Sequence, residues 1–338
     1  MLFHVVNFWS FLNPRPEFAP SDYDVHRVAF QGGGWKVTLQ GVENVRELEE
    51  QVRLDSSFGI THVGKAERVD GGAFSRAEAS ELMCALYSFL SFARGMWSPP
   101  ILWVGQNASG EHVWQEWSVD RASAGCNVLT WFPEHEPECL ARVFPGFMSL
   151  WQAPDTREIL EVAIHWYVEA NLGAGAAEGA IILAQAGLER LAYYILTNRG
   201  LSGGTTAAAR LRCLFTEFGL PVAVGPARYR VPTLPELATA QTWADAPHGL
   251  VRLRNCLVHP DQQNIQRLQN FPHQARREVL TLCLWFYEMV LLSVVRLHGA
   301  VHESANSGVF WANRTNAVTA PVCSGQSPRR FFAAFERR

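Results

Sequence analysis

The fold turns on the stretch Leu250-Val251-Arg252-Leu253-Arg254-Asn255-Cys256-Leu257-Val258-His259-Pro260. Its apolar residues recur at three- and four-residue spacing, the period of a helix with one buried face. With Leu250 at zero and about 100° per residue, Leu253 falls near 300°, Leu257 near 340°, Val258 near 80° and Val251 near 100°. Arg254, near 40°, then projects from the middle of the apolar face. A buried guanidinium without a partner costs several kcal/mol, so the pattern predicts a partner for Arg254. Glu189 is the natural candidate for an internal ion pair, because it lies on an apolar stripe with Ile182, Ala186 and Tyr193. The competing reading opens Arg254 into a groove where it meets phosphate. Pro260 disfavours helical geometry in the residue before it, which puts His259 at the helix exit with its ring free to swing.

Working outward, the helical period holds from about Asp155. Segments Arg157 to Asn171, Glu178 to Thr197, Thr206 to Phe218, Leu234 to Asp245, His248 to Val258 and His273 to Leu297 each carry it, separated by Gly, Pro or Asn clusters. This predicts an all-α bundle over 151–303, followed by a Ser-, Asn- and Pro-containing tail over 304–338. Gly179 to Leu196 and Val279 to Leu297 are apolar nearly all round, which places them at the centre of the bundle or against a second chain. The latter approaches membrane-spanning length, but Glu288 and Arg296 are expensive in lipid, so a central helix of a soluble bundle with no membrane partner is expected.

Toward the N-terminus the period shortens. Leu2 to Trp9, His26 to Phe30, Trp35 to Gln40, Ile101 to Val104 and His112 to Trp117 read as strands, broken by Gly32-Gly33-Gly34 and Ser98-Pro99-Pro100. Ser75 to Arg94 reads as a helix opening on a capping box. The first half, 1–150, is thus an α+β domain, and the fold class is α+β followed by an all-α bundle. Glu134-His135-Glu136-Pro137-Glu138-Cys139 groups possible metal ligands, but Pro137 and the apolar run after it fit a solvated helix start better.

Composition narrows the function classes. A chain of 338 residues that is 48% hydrophobic and 18% charged, with a net charge of -3, has the material for folded domains and not for a disordered or collagenous chain. Seven cysteines without a CxxC pair indicate neither a disulfide framework nor a thiolate zinc site, and the start of the chain lacks the layout of a signal peptide. A cytoplasmic protein without metal or other cofactor is expected. Lys36 and Lys65 are the only lysines, so the abundance of arginine is no RNA-binding signature in itself.

Arg254-Asn255-Cys256-Leu257-Val258-His259 resembles the R-x(4 to 6)-H motif of the HEPN superfamily of helical ribonucleases, in the variant with a polar residue after the Arg. The pattern alone is weak. Given 11 histidines and 27 arginines, chance supplies about two to three matches, and the chain has Arg252/His259, Arg254/His259, Arg267/His273 and Arg296/His302. The last two straddle Pro272 and Gly299, whereas the His259 pairs share one apolar helix. The resemblance extends to Glu178 through Leu191 and to the Leu280 to Leu297 helix, in the order of HEPN domains fused to an ApeA-like N-terminal region. It covers the second half strongly and the first loosely.

The resemblance implies a metal-independent endoribonuclease, acting as a homodimer on RNA in toxin or abortive-infection antiphage systems. It assigns proton transfer to His259, phosphate binding to Arg254 and, to Asn255, either orientation of the histidine or donation to a phosphate oxygen, with Arg252 an alternative arginine at the six-residue limit and Glu189 a supporting group. One motif supplies one imidazole while cleavage benefits from an acid and a base, which a two-fold dimer provides. Arg199, Arg210, Arg212, Arg228 and Arg230, against Glu217, are candidates for an RNA track. The N-terminal half is expected to sense a phage or regulatory trigger. The rivals are a non-catalytic HEPN-like interaction protein, and a metal hydrolase built on His298, His302 and Glu303, which Gly299 disfavours.

Overall fold

Apolar side chains alternating with polar ones over five to nine residues make the strands of the first half. The computed structural model describes residues 1–11, 26–118, 120–132, 136–224, 233–259 and 261–304. These divide into one unit containing Met1–Leu160 and a second containing Glu161–Val294.

In the first unit, β1 (Leu2–Val6), β2 (Arg27–Gly32), β3 (Trp35–Gly41), β4 (Ile60–Arg68), β5 (Pro100–Gln106) and β6 (His112–Glu116) form one sheet in the order β2-β3-β4-β1-β5-β6. Every neighbouring pair is antiparallel. Its buried face carries Phe3, Val5, Phe30, Val37 and Leu39. Helices α2 (Arg76–Arg94) and α3 (Glu138–Gln152) supply the opposing side chains, with Phe144 4.7 Å from Phe30 and 5.0 Å from Phe89, between ring centroids. The capping box expected at Ser75 is present: its hydroxyl accepts from the Glu78 N–H while the Glu78 carboxylate accepts from the Ser75 N–H.

Two elements of the first unit escaped the sequence reading. β4 is central, yet Thr61, His62, Gly64 and Lys65 obscure its alternation. Gly64 is required there, because an added Cβ would lie 2.2 Å from Cζ of Phe3 on the adjacent strand. The helix α1 (Val45–Leu54) buries only Val45 and Val52, so its charged face dominates its composition.

The second half is helical, as its periodicity predicts. The helices are α4 (Pro154–Asn171), α5 (Ala176–Asn198), α6 (Ala207–Glu217), α7 (Leu234–Ala240), α8 (Ala246–Val258), α9 (Gln262–Gln269) and α10 (His273–Ser304). α5, α6 and α8 pack on one another, and α9 packs on α8. Phe215 of α6 stacks on Phe286 of α10 at 4.0 Å. Gly187 of α5 admits the Tyr287 ring, which any side chain would displace: an added Cβ would stand 2.1 Å from the phenolic oxygen. That hydroxyl donates to the Ala163 carbonyl at 2.9 Å.

The single helix expected over Leu234 to Asp245 ends at Ala240. Thr242 takes a left-handed φ of 54° and Asp245 starts α8 as its N-cap, accepting from the His248 N–H. Buried Glu278 of α10 accepts from the Thr233 and Leu234 N–H groups, satisfying orphan donors at the start of α7. Between His273 and Arg296, α10 has the length and hydropathy of a membrane span, yet 78% of its most apolar window is buried within the protein. The tail beyond Ser304 and the Glu134-His135 part of the acidic cluster lie outside the described residues, and nothing is described for the side chains of His298, His302 and Glu303.

Candidate active site

The residues buried on α8 are Ala246, Pro247, Gly249, Leu250, Leu253 and Cys256. The small residues Gly249 and Cys256 turn the buried face toward about 300° in the rotation used above, away from Val258, which is 39% exposed. Arg254 is therefore half-buried at the edge of that face, not at its middle. The ion pair with Glu189, the alternative to a phosphate-binding Arg254, is not formed. The Glu189 carboxylate accepts from Gln185 at 2.9 Å, while Arg254 Nη1 donates to Oδ1 of its neighbour Asn255 at 3.1 Å. Shifting the face removes the physical need for a buried counter-charge. Nε of Arg254 is buried without a partner among the described residues.

Arg252 is differently placed. Its Nη1 donates to the Gln241 carbonyl at 2.8 Å and to the Thr242 hydroxyl at 3.3 Å, tying α8 to the turn after α7. The shallow cleft beside it, lined by Trp243, Cys256, Arg267 and Phe271 among others, has room for about one water at ≈ 10 Å³. Nothing the size of a nucleotide enters there.

His259 caps the C-terminus of α8 with φ -113° and ψ 86°, the non-helical geometry that a following proline favours. Pro260 itself lies outside the described residues. The imidazole is exposed and has no hydrogen bond among the described residues, as is the Asn255 side chain apart from its contact with Arg254. The main chain of His259, in contrast, is held from both sides. Its N–H donates to the Asn255 carbonyl at 2.9 Å, and its carbonyl accepts from Nδ2 of Asn264 at 2.8 Å.

Asn264 was missed in the sequence reading. It lies in α9, whose composition QQNIQRLQ buries no residue and gives little periodic signal. The legible sign was Asp261, which caps α9 by accepting from the Asn264 N–H at 2.7 Å. Besides His259, the Asn264 side chain donates to Asp261 and accepts from Cys256 Sγ at 3.2 Å and Arg267 Nη1 at 3.1 Å. It thus links the helix exit to the next helix. Asn264→Ala is expected to lower the unfolding free energy by about 1–2 kcal/mol, since the His259 carbonyl and the Arg267 guanidinium each lose a bond. Chemical denaturation measures this, and unchanged stability would remove Asn264 from the clamp.

The proposed RNA track is mostly committed internally. Arg199 pairs with Glu217 at 2.6 Å and lies over the Phe218 ring, Arg210 donates to the Thr205 carbonyl at 3.3 Å, and Arg212 pairs with Asp245. Counting charge between Arg199 and Pro235 omitted Asp245, which the fold brings to Arg212 from the next segment. Arg228 and Arg230 lie outside the described residues. Among the described residues no group of three or more His, Cys, Asp or Glu side chains is arranged to hold a metal ion.

Residues 1–128 match the family model described as the YopA central domain, and residues 153–312 match that of the YopA C-terminal domain. The chain is similar to YopA in both halves. It is 25% identical over 335 residues, covering 94% of this chain and 73% of the relative, to the SPbeta prophage-derived uncharacterized protein YopA of Bacillus subtilis (strain 168). No solved structure matches the chain. The two YopA matches divide close to the change of period near Asp155, and the α8 motif falls inside the C-terminal one. Neither description speaks of a nuclease.

Proposed function

We infer that this YopA-like chain is an endoribonuclease that works as a homodimer, with His259 transferring protons and Arg254 holding the scissile phosphate. The observation that carries this reading is the helix exit of α8. There an exposed imidazole stands on a clamped main chain, and Arg254 and Asn255 are joined to each other one turn away. An imidazole can take or give a proton in acid or base work, and the guanidinium fork matches a phosphate. Asn255, bonded to Arg254, orients the fork. Arg252 is a positioning residue in this scheme, since its Nη1 is taken by Gln241 and Thr242.

Attack of an RNA 2′-hydroxyl on the adjacent phosphorus breaks the bond to the 5′-oxygen. One imidazole takes the hydroxyl proton and a second protonates the leaving oxygen, so the chemistry calls for two copies of His259. Val258, next to His259, and Ile265 of α9, exposed at 39% and 47%, supply apolar surface for self-association. The prophage origin in the relative's name is compatible with an effector in the conflict between phage and host.

The test is cleavage of RNA in excess EDTA, with product ends identified. The expected result is cleavage leaving 2′,3′-cyclic phosphate, DNA untouched, and loss of activity when dimers are diluted to monomers. Products with a 3′-hydroxyl, or dependence on added divalent ions, would place the chemistry elsewhere. A second reading, a non-catalytic HEPN-like interaction module, draws on the same exposed Val258 and Ile265 together with Tyr193, which is 66% exposed. Absence of any cleavage by a dimeric chain favours it.

A further inference from the structure

The sheet of the first unit has two edges, and they are finished differently. At one, β2 is packed by α3, where a Cβ on Gly32 would stand 3.1 Å from the Phe144 carbonyl oxygen. At the other, β6 pairs with β5 alone, and none of its five residues is buried. A bare edge is a template for a further strand, and proteins blunt it with lysine, proline or a bulge. β6, His112-Val113-Trp114-Gln115-Glu116, contains neither lysine nor proline. The irregularity in its ladder falls between Gly105 and Gln106, toward the His112 end.

The two faces of β6 also differ. On one, the Trp114 ring covers Gly105 of β5, where an added Cβ would be 2.2 Å from it, and Glu116 pairs with Arg76 of α2. Val113 and Gln115 lie on the other face, and Trp117 follows in the same alternation. Val113 is 58% exposed, and Trp117, at 70%, is the most exposed large apolar side chain among the described residues. An exposed indole of this kind is the type of group that anchors interfaces.

The spacing Val113-x-Gln115-x-Trp117 is self-complementary. With a second copy antiparallel beside β6 and the two-fold axis at Gln115, Val113 of each copy faces Trp117 of the other. The two Gln115 amides then face each other, and Trp114 faces Glu116, so no like charges are opposed. An aromatic side chain opposite a β-branched one is a favourable cross-strand pair, and the symmetry supplies it twice. Centring on Trp114 instead would set Trp117 against Glu111 and Val113 against Gln115, which covers neither apolar side chain with the other. We propose that β6 is a self-association edge, at which a second copy of this chain adds its own β6 antiparallel about Gln115. This contact lies in the first unit and does not rest on the nuclease reading.

The symmetry makes the proposal testable residue by residue. Directly opposed Cα atoms of an antiparallel pair are about 4.5–5.5 Å apart, within disulfide reach, whereas Val113 would stand about 14 Å from Val113 of the other copy. Mild oxidation of the full chain carrying Gln115→Cys is expected to link two copies, and Val113→Cys is expected to link no more than the parent. Adding Val113→Glu to Gln115→Cys, which sets a carboxylate against each Trp117, is expected to lower the linked fraction about tenfold. Adding His259→Ala is expected to leave it unchanged. In sedimentation, Val113→Glu that is folded by circular dichroism is expected to fall one assembly step below the parent. A fall to monomer means that the helical half does not associate, and a fall to dimer means that it does, so the two contacts are read separately. Linkage at Gln115→Cys no greater than in the parent would overturn the proposal and leave β6 to a strand of a different protein. Equal linkage at Val113→Cys, or unchanged sedimentation of Val113→Glu, would overturn it as well.

Discussion

His259→Ala is expected to abolish RNA cleavage while leaving the protein folded. Removal of a general acid or base costs about 10²- to 10⁴-fold, and a site assembled from two copies loses both proton-transfer groups at once. The fold should tolerate the change, because the side chain is exposed and bonds to nothing among the described residues, while the Asn255 and Asn264 contacts use only the main chain. A stability change within about 0.5 kcal/mol is the corresponding expectation. Arg254→Ala should lower cleavage more than Arg252→Ala, and Arg252→Ala should lower stability more, since it releases Gln241 and Thr242. Folded His259→Ala protein that still cleaves RNA would sink the assignment. The reverse order of the two arginines would move the phosphate contact to position 252.

The second large effect concerns Glu288, in the middle of α10. The side chain is 2% exposed and accepts from the Tyr167 hydroxyl at 2.6 Å. Burial pushes its pKa up to about 8, against the lowering effect of the tyrosine bond. In the unfolded chain the same carboxyl titrates near 4.5. Between those values the folded state holds a proton that the unfolded state has released. Stability from this group is therefore fully present below pH 4.5 and is lost as pH rises through about 8. The steepest slope is about 1.4 kcal/mol per pH unit.

Buried His62, whose pKa is lowered to about 3 by desolvation and then by His26, acts in the opposite sense below its ordinary value of 6.5. Between pH 6.5 and 8 His62 no longer contributes, and the slope is that of Glu288 opposed by the Met1 ammonium, whose pKa burial lowers from its ordinary 8.0. Glu288→Gln keeps an acceptor for Tyr167 and carries no charge. It is expected to flatten the pH dependence and to be more stable than the parent at pH 8 by on the order of 3 kcal/mol. Denaturation curves at the two pH values measure both effects, and parallel behaviour of parent and variant would show that Glu288 is already ionised in the fold.

The same glutamate shows where reading residues alone works. In an otherwise apolar run it was legible as an anomaly, expensive in lipid, and its burial beside Tyr167 gives that anomaly a physical resolution. The change of period near Asp155, the Ser75 capping box and the non-helical exit at His259 were likewise legible, because each depends on local spacing or on the steric effect of the next residue. Local chemistry of this kind needs no distant partner to be recognised.

What spacing could not supply was the direction in which α8 faces. Val251 and Val258 placed Arg254 at the centre of the apolar stripe, while the packed helix buries the smaller Gly249 and Cys256 instead: a Cβ at Gly249 would stand 2.1 Å from the Trp243 ring, and Cys256 donates to Asn264 of α9. The partners of Arg212, Arg252 and Glu278 come from 33, 11 and 45 residues away, and no helical or strand period connects such positions. The sequence alone determined the α+β half, the helical half and the Arg254-to-His259 motif at a helix exit. Only the tertiary structure decided that Glu189 turns to Gln185, that Arg252 ties down a turn, and that Asn264 holds His259, because side chains compete for partners in space after the helices have packed.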